Sequence, residues 1–128
     1  MFKRNFLLIL TIFVFMFNFN LFGAVADSIK VDQVDELKAQ GYIIIDVRTA
    51  EEFSEGHIQD AILINIYDPN FKTKIGELDK NGKYLMFCRS GNRSGKAVLQ
   101  MTQMGFKDVL NIAGGIIAWQ RAGKPLVK

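Results

Sequence analysis

The segment from Cys88 to Gly95 carries the strongest chemical signal in the chain and reads Cys-Arg-Ser-Gly-Asn-Arg-Ser-Gly. Gly91 allows the backbone to curl after the cysteine with its N–H groups pointing inward, an arrangement that binds anions. Arg89 and Arg93 add two positive charges, and the helix that follows adds the positive end of its dipole. These features stabilise a thiolate, so we expect the pKa of Cys88 to lie well below the free value of about 8.5.

Cys88 is the one cysteine of the chain, which excludes a disulfide within it. A buried structural cysteine is the alternative interpretation, but the arginines, serine and glycine that follow Cys88 favour a reactive thiol. We therefore predict Cys88 as the catalytic residue. We predict that an anionic substrate binds to the loop residues Arg89, Ser90, Gly91, Asn92 and Arg93.

No cofactor is expected. The sequence has no cysteine and histidine cluster with metal-ligand spacing, and the Gly114-Gly115 pair is far from a dinucleotide-binding fingerprint.

Short strands and helices alternate along the chain from Asp27, which predicts an α/β domain with a parallel sheet and helices on both faces. The predicted strands are 28–31, 42–47, 61–66, 83–87 and 109–112. The strand 61–66 is expected to be buried. In such sheets ligands bind beyond the carboxyl ends of the strands, and Cys88 directly follows one of these ends.

Capping residues predict where three of the helices begin. Asp32 is expected to be the N-cap of the first helix. Thr49 and Glu52 are expected to form a capping box at the start of the second. The third is expected to open at Asp68-Pro69 and to run to about Leu78, with proline at its first position.

The chain resembles the rhodanese family, whose active-site loop has the form Cys-x-x-Gly-x-Arg-Ser. Every fixed position of that loop is matched, by Cys88, Gly91, Arg93 and Ser94. The upstream signature of the family is similar to Ile45-Asp46-Val47-Arg48, Glu52-Phe53, Gly56-His57-Ile58, Ala61 and Asn65. Its closing signature is similar to Ala113-Gly114-Gly115-Ile116 with Trp119, Gly123 and Pro125.

The resemblance implies a single rhodanese-like domain with a five-stranded parallel sheet, and the activity of a thiosulfate sulfurtransferase. The Cys88 thiolate would take sulfur from a small anionic donor such as thiosulfate and hold it as a persulfide. Cyanide or a thiol acceptor would then remove it. Within the family pattern, His57 belongs to a structural signature, and its role stays open.

Other polar residues are interpreted as structural. Asp46 and Arg48 are expected to fix loops through hydrogen bonds or a shared ion pair. Glu51, Glu52 and Glu55 look like a solvated helix face, and Trp119 is expected to pack the last helix on the sheet or to line the mouth of the site.

Three other functions are alternatives to sulfur transfer. Cysteine phosphatases and arsenate reductases use a Cys-x5-Arg loop, whereas Cys88 to Arg93 is one residue shorter. A non-catalytic rhodanese-like binding module usually lacks the cysteine. A periplasmic redox protein would need the thiol of a partner, because a Cys-x-x-Cys pair is absent.

The N-terminus has the form of a secretory signal peptide, with Lys3 and Arg4 before an apolar stretch and Ala24-Val25-Ala26 as the cleavage site. We expect residues 1–26 to be removed and residues 27–128 to form a periplasmic or otherwise secreted domain. The alternative is an uncleaved membrane anchor. After cleavage we expect no stable membrane association.

Loss of Lys3 and Arg4 from the 16 basic residues leaves 14 against 13 acidic residues, a net charge of +1. This near-neutral balance gives no support for nucleic-acid binding. A monomer is expected.

Overall fold

The computed structural model describes residues 26–128 of the chain. The predicted signal peptide lies outside the described residues except for Ala26. Within residues 26–128, no helix is both long and apolar enough to cross a bilayer. The strands are β1 (Ser28–Ile29), β2 (Ile43–Asp46), β3 (Ile62–Leu63), β4 (Lys83–Phe87) and β5 (Asp108–Ile112). The helices are α1 (Val34–Ala39), α2 (Ala50–Glu55), α3 (Phe71–Gly76), α4 (Asn92–Gln103) and α5 (Gly115–Arg121).

The strands form one five-stranded sheet in the order β1-β5-β4-β2-β3, and every pairing between them is parallel. The predicted α/β class and five-stranded parallel sheet are confirmed. Strand β4 is central and pairs with both β2 and β5. Its carboxyl end, where Cys88 follows, therefore lies in the middle of the edge at which parallel sheets bind ligands.

Side chains of β4 alternate between two apolar clusters, one on each face of the sheet. Tyr84 and Met86 belong to the cluster that α3 and α4 cover, whereas Leu85 and Phe87 belong to the cluster that α1 and α5 cover. This alternation places Cys88 on the α4 side. The residues after Cys88 then enter α4 itself.

The two edge strands of the sheet, β1 and β3, are shorter than predicted. The predicted buried strand 61–66 is wrong in length and burial, because only Ile62 and Leu63 form a strand and Ile62 is 45% exposed. Strand β3 pairs with β2 and lies at the edge of the sheet, so one of its sides has no neighbouring strand within residues 26–128. Of the predicted strand 28–31, only Ser28 and Ile29 pair with β5.

The capping box of α2 is confirmed. Glu52 N donates to Thr49 Oγ1 at 3.2 Å, and Thr49 N donates to Glu52 Oε1 at 3.4 Å. Glu52 thus stabilises the start of α2 through both its backbone N–H and its carboxylate.

Two predicted helix starts are wrong. Asp32 lies inside a 3₁₀ turn (Val31–Gln33) that Gln33 stabilises by accepting from Lys30 N, so α1 begins only after it. The Asp68 carboxylate accepts from Asn70 N at 2.8 Å. This local turn contains Pro69, and α3 begins two residues later, at Phe71.

Candidate active site

Cys88 lies at the carboxyl end of β4 with no exposed surface, at one end of the apolar cluster beneath α4. Its Sγ nevertheless faces polar groups of the loop that follows. Gly91 N donates to Sγ at 3.1 Å, and the Ser94 hydroxyl lies 3.2 Å from it. The loop therefore folds over the sulfur and places one backbone N–H and one hydroxyl within hydrogen-bond distance of it.

The pKa of Cys88 is lowered from its ordinary value. Burial of the thiol raises the pKa, but hydrogen bonds from the Ser94 hydroxyl and from the backbone of Ser94, Gly91 and Ser90 together outweigh it. The anion is thus stabilised by hydrogen-bond donors of the loop rather than by solvent. The backbone N–H groups among these donors need no reorganisation when negative charge develops on the sulfur.

Gly91 is required where the loop turns into α4. Its φ of +93° lies in the left-handed region, and a β-carbon there would come within 3.2 Å of Gly114 N and 3.4 Å of Ile112 O. A β-carbon at this position would be crowded by these backbones as well as strained by the left-handed φ. Gly91 N is thereby held against the cysteine sulfur.

The start of α5 supports the same loop from the other side. Ile116 N donates to the Cys88 carbonyl at 2.9 Å, and Ile117 N donates to the Arg89 carbonyl at 3.2 Å. These carbonyls therefore point away from the sulfur, which leaves the amides of the loop to face it. The glycine pair at the start of α5, Gly114 and Gly115, thus has a structural role that its sequence pattern alone did not show.

Arg93, one of the predicted substrate-binding residues, forms an ion pair with Glu52. Its Nη1 lies 2.7 Å from Glu52 Oε1, and its Nη2 lies 2.8 Å from Glu52 Oε2. The hydrogen bond from Arg93 lowers the pKa of Glu52 to about 2, against an opposing effect of burial. The prediction that Glu52 belongs to a solvated face is wrong, because α2 places this carboxylate beside the loop. Glu51 and Glu55 are exposed as expected.

Arg89 is exposed, and no side chain within residues 26–128 forms a hydrogen bond or ion pair with it. It lines an open cleft of about 400 Å³ beside the loop. The other lining residues are Arg48, Glu52, Glu55, Gly56, Ile116, Gln120 and Leu126. Since Arg93 is paired, Arg89 is the loop arginine whose charge is available to a ligand.

The remaining predicted loop residues contribute differently. Ser90 is exposed and acts on the sulfur through its backbone. Asn92 is the first residue of α4, is exposed, and lines a second cleft of about 240 Å³ beside Gly95 and Lys96. The structure therefore does not bring the Asn92 side chain to the cysteine sulfur.

Asp46 and Arg48 form a buried ion pair at the end of β2, with Nη2 and Oδ2 2.8 Å apart. Arg48 Nη2 also donates to the Gly56 carbonyl at 2.7 Å. This confirms the structural interpretation. The pair joins β2 to the end of α2, the helix that carries Glu52.

His57 and Trp119 also serve the framework. The His57 ring stacks on Phe53 with ring centres 3.7 Å apart, and its backbone pairs with Val127. Trp119 is 3% exposed in the cluster beneath α5, and its indole N–H donates to the Pro125 carbonyl. The prediction that Trp119 packs the last helix on the sheet is confirmed.

Two buried polar residues near the sulfur were not among the predicted site residues. Ser94 matched the loop motif but was not predicted as a site residue, and Asn111 was not considered. Asn111 lies near the carboxyl end of β5 and is 7% exposed. A polar residue near the carboxyl end of a buried parallel strand was the available signal.

No group of three potential metal-ligating side chains occurs within residues 26–128.

Comparisons with known proteins agree with this geometry. The family model for the rhodanese-like domain matches residues 30–122. The chain is 38% identical over 85 residues to a sulfurtransferase of Allochromatium vinosum, covering 66% of this chain and 78% of that protein. It is 35% identical over 104 residues to thiosulfate sulfurtransferase 18 of Arabidopsis thaliana, covering 72% of this chain and 76% of that protein.

A solved structure shows the same fold. The crystal structure of a rhodanese-related protein from Thermoplasma volcanium superposes with a TM-score of 0.71 at 33% identity, covering 79% of this chain and 97% of that one. The matched family domain includes the cysteine loop, the Glu52 helix and the glycine pair at the start of α5. The chain therefore belongs to the rhodanese family.

Proposed function

We propose that this protein is a sulfurtransferase that carries sulfane sulfur on Cys88 as a persulfide. The observation that carries the proposal is the contact of Cys88 Sγ with two donors of its own loop, Gly91 N at 3.1 Å and the Ser94 hydroxyl at 3.2 Å. These donors lower the pKa of a thiol that burial alone would keep protonated. A thiolate is the nucleophile that sulfur transfer needs.

In the first step, the Cys88 thiolate attacks the outer sulfur of a donor such as thiosulfate. A bond forms between Sγ and that sulfur, the sulfur–sulfur bond of the donor breaks, and its electron pair leaves with sulfite. The product is a Cys88 persulfide whose terminal sulfur is negative. The inward-facing amides of the loop would stabilise this charge as an oxyanion hole does.

In the second step, a nucleophilic acceptor attacks the terminal sulfur. The bond between that sulfur and Sγ breaks, and its electron pair returns to Sγ as the thiolate. Cyanide would leave as thiocyanate, and a thiol would leave as a persulfide. No redox cofactor enters the balance, since each step displaces one nucleophile by another at the transferred sulfur.

Arg89 would attract the donor to the site. Its side chain is exposed on the 400 Å³ cleft beside the loop, whereas Arg93 is held by Glu52. A guanidinium is well suited to bind the oxygens of a sulfonate-like group. Arg89 therefore takes the role that the sequence pattern had divided between two arginines.

Access to the sulfur requires movement of the loop. Cys88 has no exposed surface, whereas Arg89 and Ser90, which follow it, are exposed. In this proposal the exposed side chains of Arg89 and Ser90 move aside to admit the donor and then return over the persulfide, while Gly91 N keeps its contact with the sulfur. A closed loop would shield the persulfide from unwanted acceptors.

The mature protein in this proposal is the domain 27–128, exported by the signal peptide 1–26 to the periplasm or the cell exterior and acting as a monomer.

The test is the intact mass of the purified protein after incubation with thiosulfate. We expect a mass increase of one sulfur atom, which cyanide removes with formation of thiocyanate. Cys88→Ser is the control and should show neither the added sulfur nor turnover, because a hydroxyl cannot form a persulfide.

An added sulfur in the Cys88→Ser variant, or wild-type protein that accepts none while it hydrolyses a phosphate ester, would contradict the proposal. The second result would favour the phosphatase alternative.

A further inference from the structure

The Ser94 hydroxyl has one proton and two acceptors within reach. Its Oγ lies 3.2 Å from Cys88 Sγ and 2.6 Å from Asn111 Oδ1. A serine hydroxyl can donate only one hydrogen bond at a time. The two contacts therefore compete for the same proton, and the shorter one is made to Asn111.

The orientation of the Asn111 amide is fixed by its other partners. Asn111 Nδ2 lies 3.1 Å from the Gly91 carbonyl, which can only accept, and 3.4 Å from Ser28 Oγ. The nitrogen must therefore face Gly91, which leaves Oδ1 toward Ser94. Asn111 and Ser94 are both buried, so water does not offer either group an alternative partner.

We propose that Asn111 is a positioning residue that holds the Ser94 proton away from Cys88 while the cysteine is a thiol and yields it when the thiolate forms. In the thiol state, Sγ–H donates to Ser94 Oγ, and Ser94 donates to Asn111. When the sulfur proton leaves to solvent, Ser94 turns its own proton to the thiolate. For its use in turnover, the inference rests on the proposed function.

The direction of this switch follows from charge. Hydrogen bonds to a charged acceptor are about twice as strong as those between neutral groups. The Ser94 hydroxyl therefore donates to the thiolate in preference to the neutral amide oxygen of Asn111. The switch leaves a buried Oδ1 without its partner, which is unfavourable. Asn111 therefore opposes ionisation of Cys88, whereas Ser94 favours it.

Other charges near the sulfur do not produce this effect. From α4, Arg93 is paired with Glu52, and Arg89 in the loop is exposed. At the end of β2, Asp46 and Arg48 neutralise each other. These groups stay unchanged in the substitutions below, so differences between variants report on the Ser94 proton.

The experiment is a double-mutant cycle on the pKa of Cys88, measured from the rate of alkylation by iodoacetamide as a function of pH. Ser94→Ala should raise the pKa, and Asn111→Leu should lower it, each by about one pH unit or less, the scale of one neutral hydrogen bond. In the Ser94→Ala background, Asn111→Leu should leave the pKa unchanged, because the hydroxyl on which Asn111 acts is gone.

The measurement of Asn111→Leu in the Ser94→Ala background is the decisive control. Asn111→Leu also removes the bond from Nδ2 to the Gly91 carbonyl, and a merely structural effect on the loop would shift the pKa with or without Ser94. A shift that persists in the Ser94→Ala background, or an Asn111→Leu protein with an unshifted pKa, would overturn the inference.

A second measurement needs no substitution at Asn111. In wild-type protein, the chemical shift of the Asn111 side-chain carbonyl carbon should change with pH at the same midpoint as Cys88 alkylation, because Oδ1 loses a hydrogen bond there. The change should be missing in Cys88→Ser. A carbonyl shift that stays constant through the titration of Cys88 would overturn the inference.

Neither readout requires sulfur transfer. A protein that shows the proton switch but forms no persulfide would refute the proposed function alone. A protein that forms the persulfide with no response at Asn111 would refute this inference alone.

Discussion

Gly115 lies so close to Cys88 that a β-carbon on it would come within 2.3 Å of the Cys88 carbonyl oxygen. The same β-carbon would lie 2.6 Å from the Arg89 carbonyl carbon and oxygen, and the φ of Gly115 is +51°. These contacts are to backbone atoms, which cannot rotate away. The start of α5 and the cysteine loop therefore have to be built together.

We expect Gly115→Ala to displace the loop, destabilise the fold by at least about 3 kcal/mol and abolish sulfur transfer, since overpacking and left-handed strain add. Gly41→Ala is the matched control. Gly41 has a φ of +97° with no heavy atom within 4 Å of the added carbon, so its cost should be the strain alone, about 1 kcal/mol. Urea unfolding and thiosulfate assays of both variants check this. Equal destabilisation by the two substitutions would contradict the backbone contact as the cause.

Replacing each of the two loop arginines by alanine should have a different effect. Arg89→Ala should raise the KM for thiosulfate about tenfold, the scale of one charge-assisted hydrogen bond, and should leave the melting temperature unchanged because Arg89 is exposed. Arg93→Ala should lower stability by about 1 kcal/mol, since it removes the partner of Glu52. Kinetics and thermal unfolding of both variants provide the comparison. An unchanged thiosulfate dependence in Arg89→Ala would remove it from donor binding.

The ion pair between Glu52 and Arg93 should make stability depend on acid pH. The pKa of Glu52 is lowered to about 2 in the folded state, against about 4.3 in an unfolded chain. The unfolded state therefore binds the proton first, so the stabilisation is present above about pH 5 and is lost as the pH falls toward 2.

We expect Glu52→Gln to reduce stability at neutral pH by about 1 kcal/mol, a value limited by the partial exposure of the pair, and to flatten the decline between pH 5 and 2. Glutamine keeps the capping box with Thr49. Glu51→Gln, on the exposed face of the same helix, should change neither quantity. Urea unfolding across this pH range measures both, and a decline that persists undiminished in Glu52→Gln would be inconsistent with the assignment.

The buried pair of Asp46 and Arg48 should matter far more than a surface pair. Asp46→Ala leaves the Arg48 charge buried at 3% exposure, and such a change costs about 3–5 kcal/mol. Lys74→Ala, which breaks a pair whose lysine is 51% exposed, should cost less than about 1 kcal/mol. Chemical unfolding of the two variants measures the loss of stability in each. Similar losses would indicate that Arg48 finds another partner.

Export can be checked on the whole chain. When the full chain is expressed in a bacterium with two membranes, we expect the mature protein in the periplasmic fraction, with Asp27 as its first residue. N-terminal sequencing and fractionation provide the measurement. A protein that keeps Met1 and stays with the membrane would support the uncleaved anchor instead.

Patterns local in the chain determined the fold class and the nucleophile. Apolar runs separated by helical segments predicted the parallel α/β sheet, and strand β4 ends where its pattern ends, at Phe87. The family motif pointed to Cys88 because its residue types lie within a few positions of one another. The Thr49 and Glu52 capping box was readable for the same reason, since its partners are three residues apart.

Tertiary structure decided which charges and protons act on the sulfur. Glu52 and Arg93 are 41 residues apart in the chain and meet only because α2 and α4 lie at the same end of the sheet. The same holds for Asn111 and Ser94, which β5 and α4 bring to 2.6 Å. Edge position likewise exposed Ile62 despite its apolar sequence. Local sequence shows which residue types form a site. The ion-pair partner of a charge and the acceptor of a hydrogen bond are set by packing between distant segments, which a single sequence does not show.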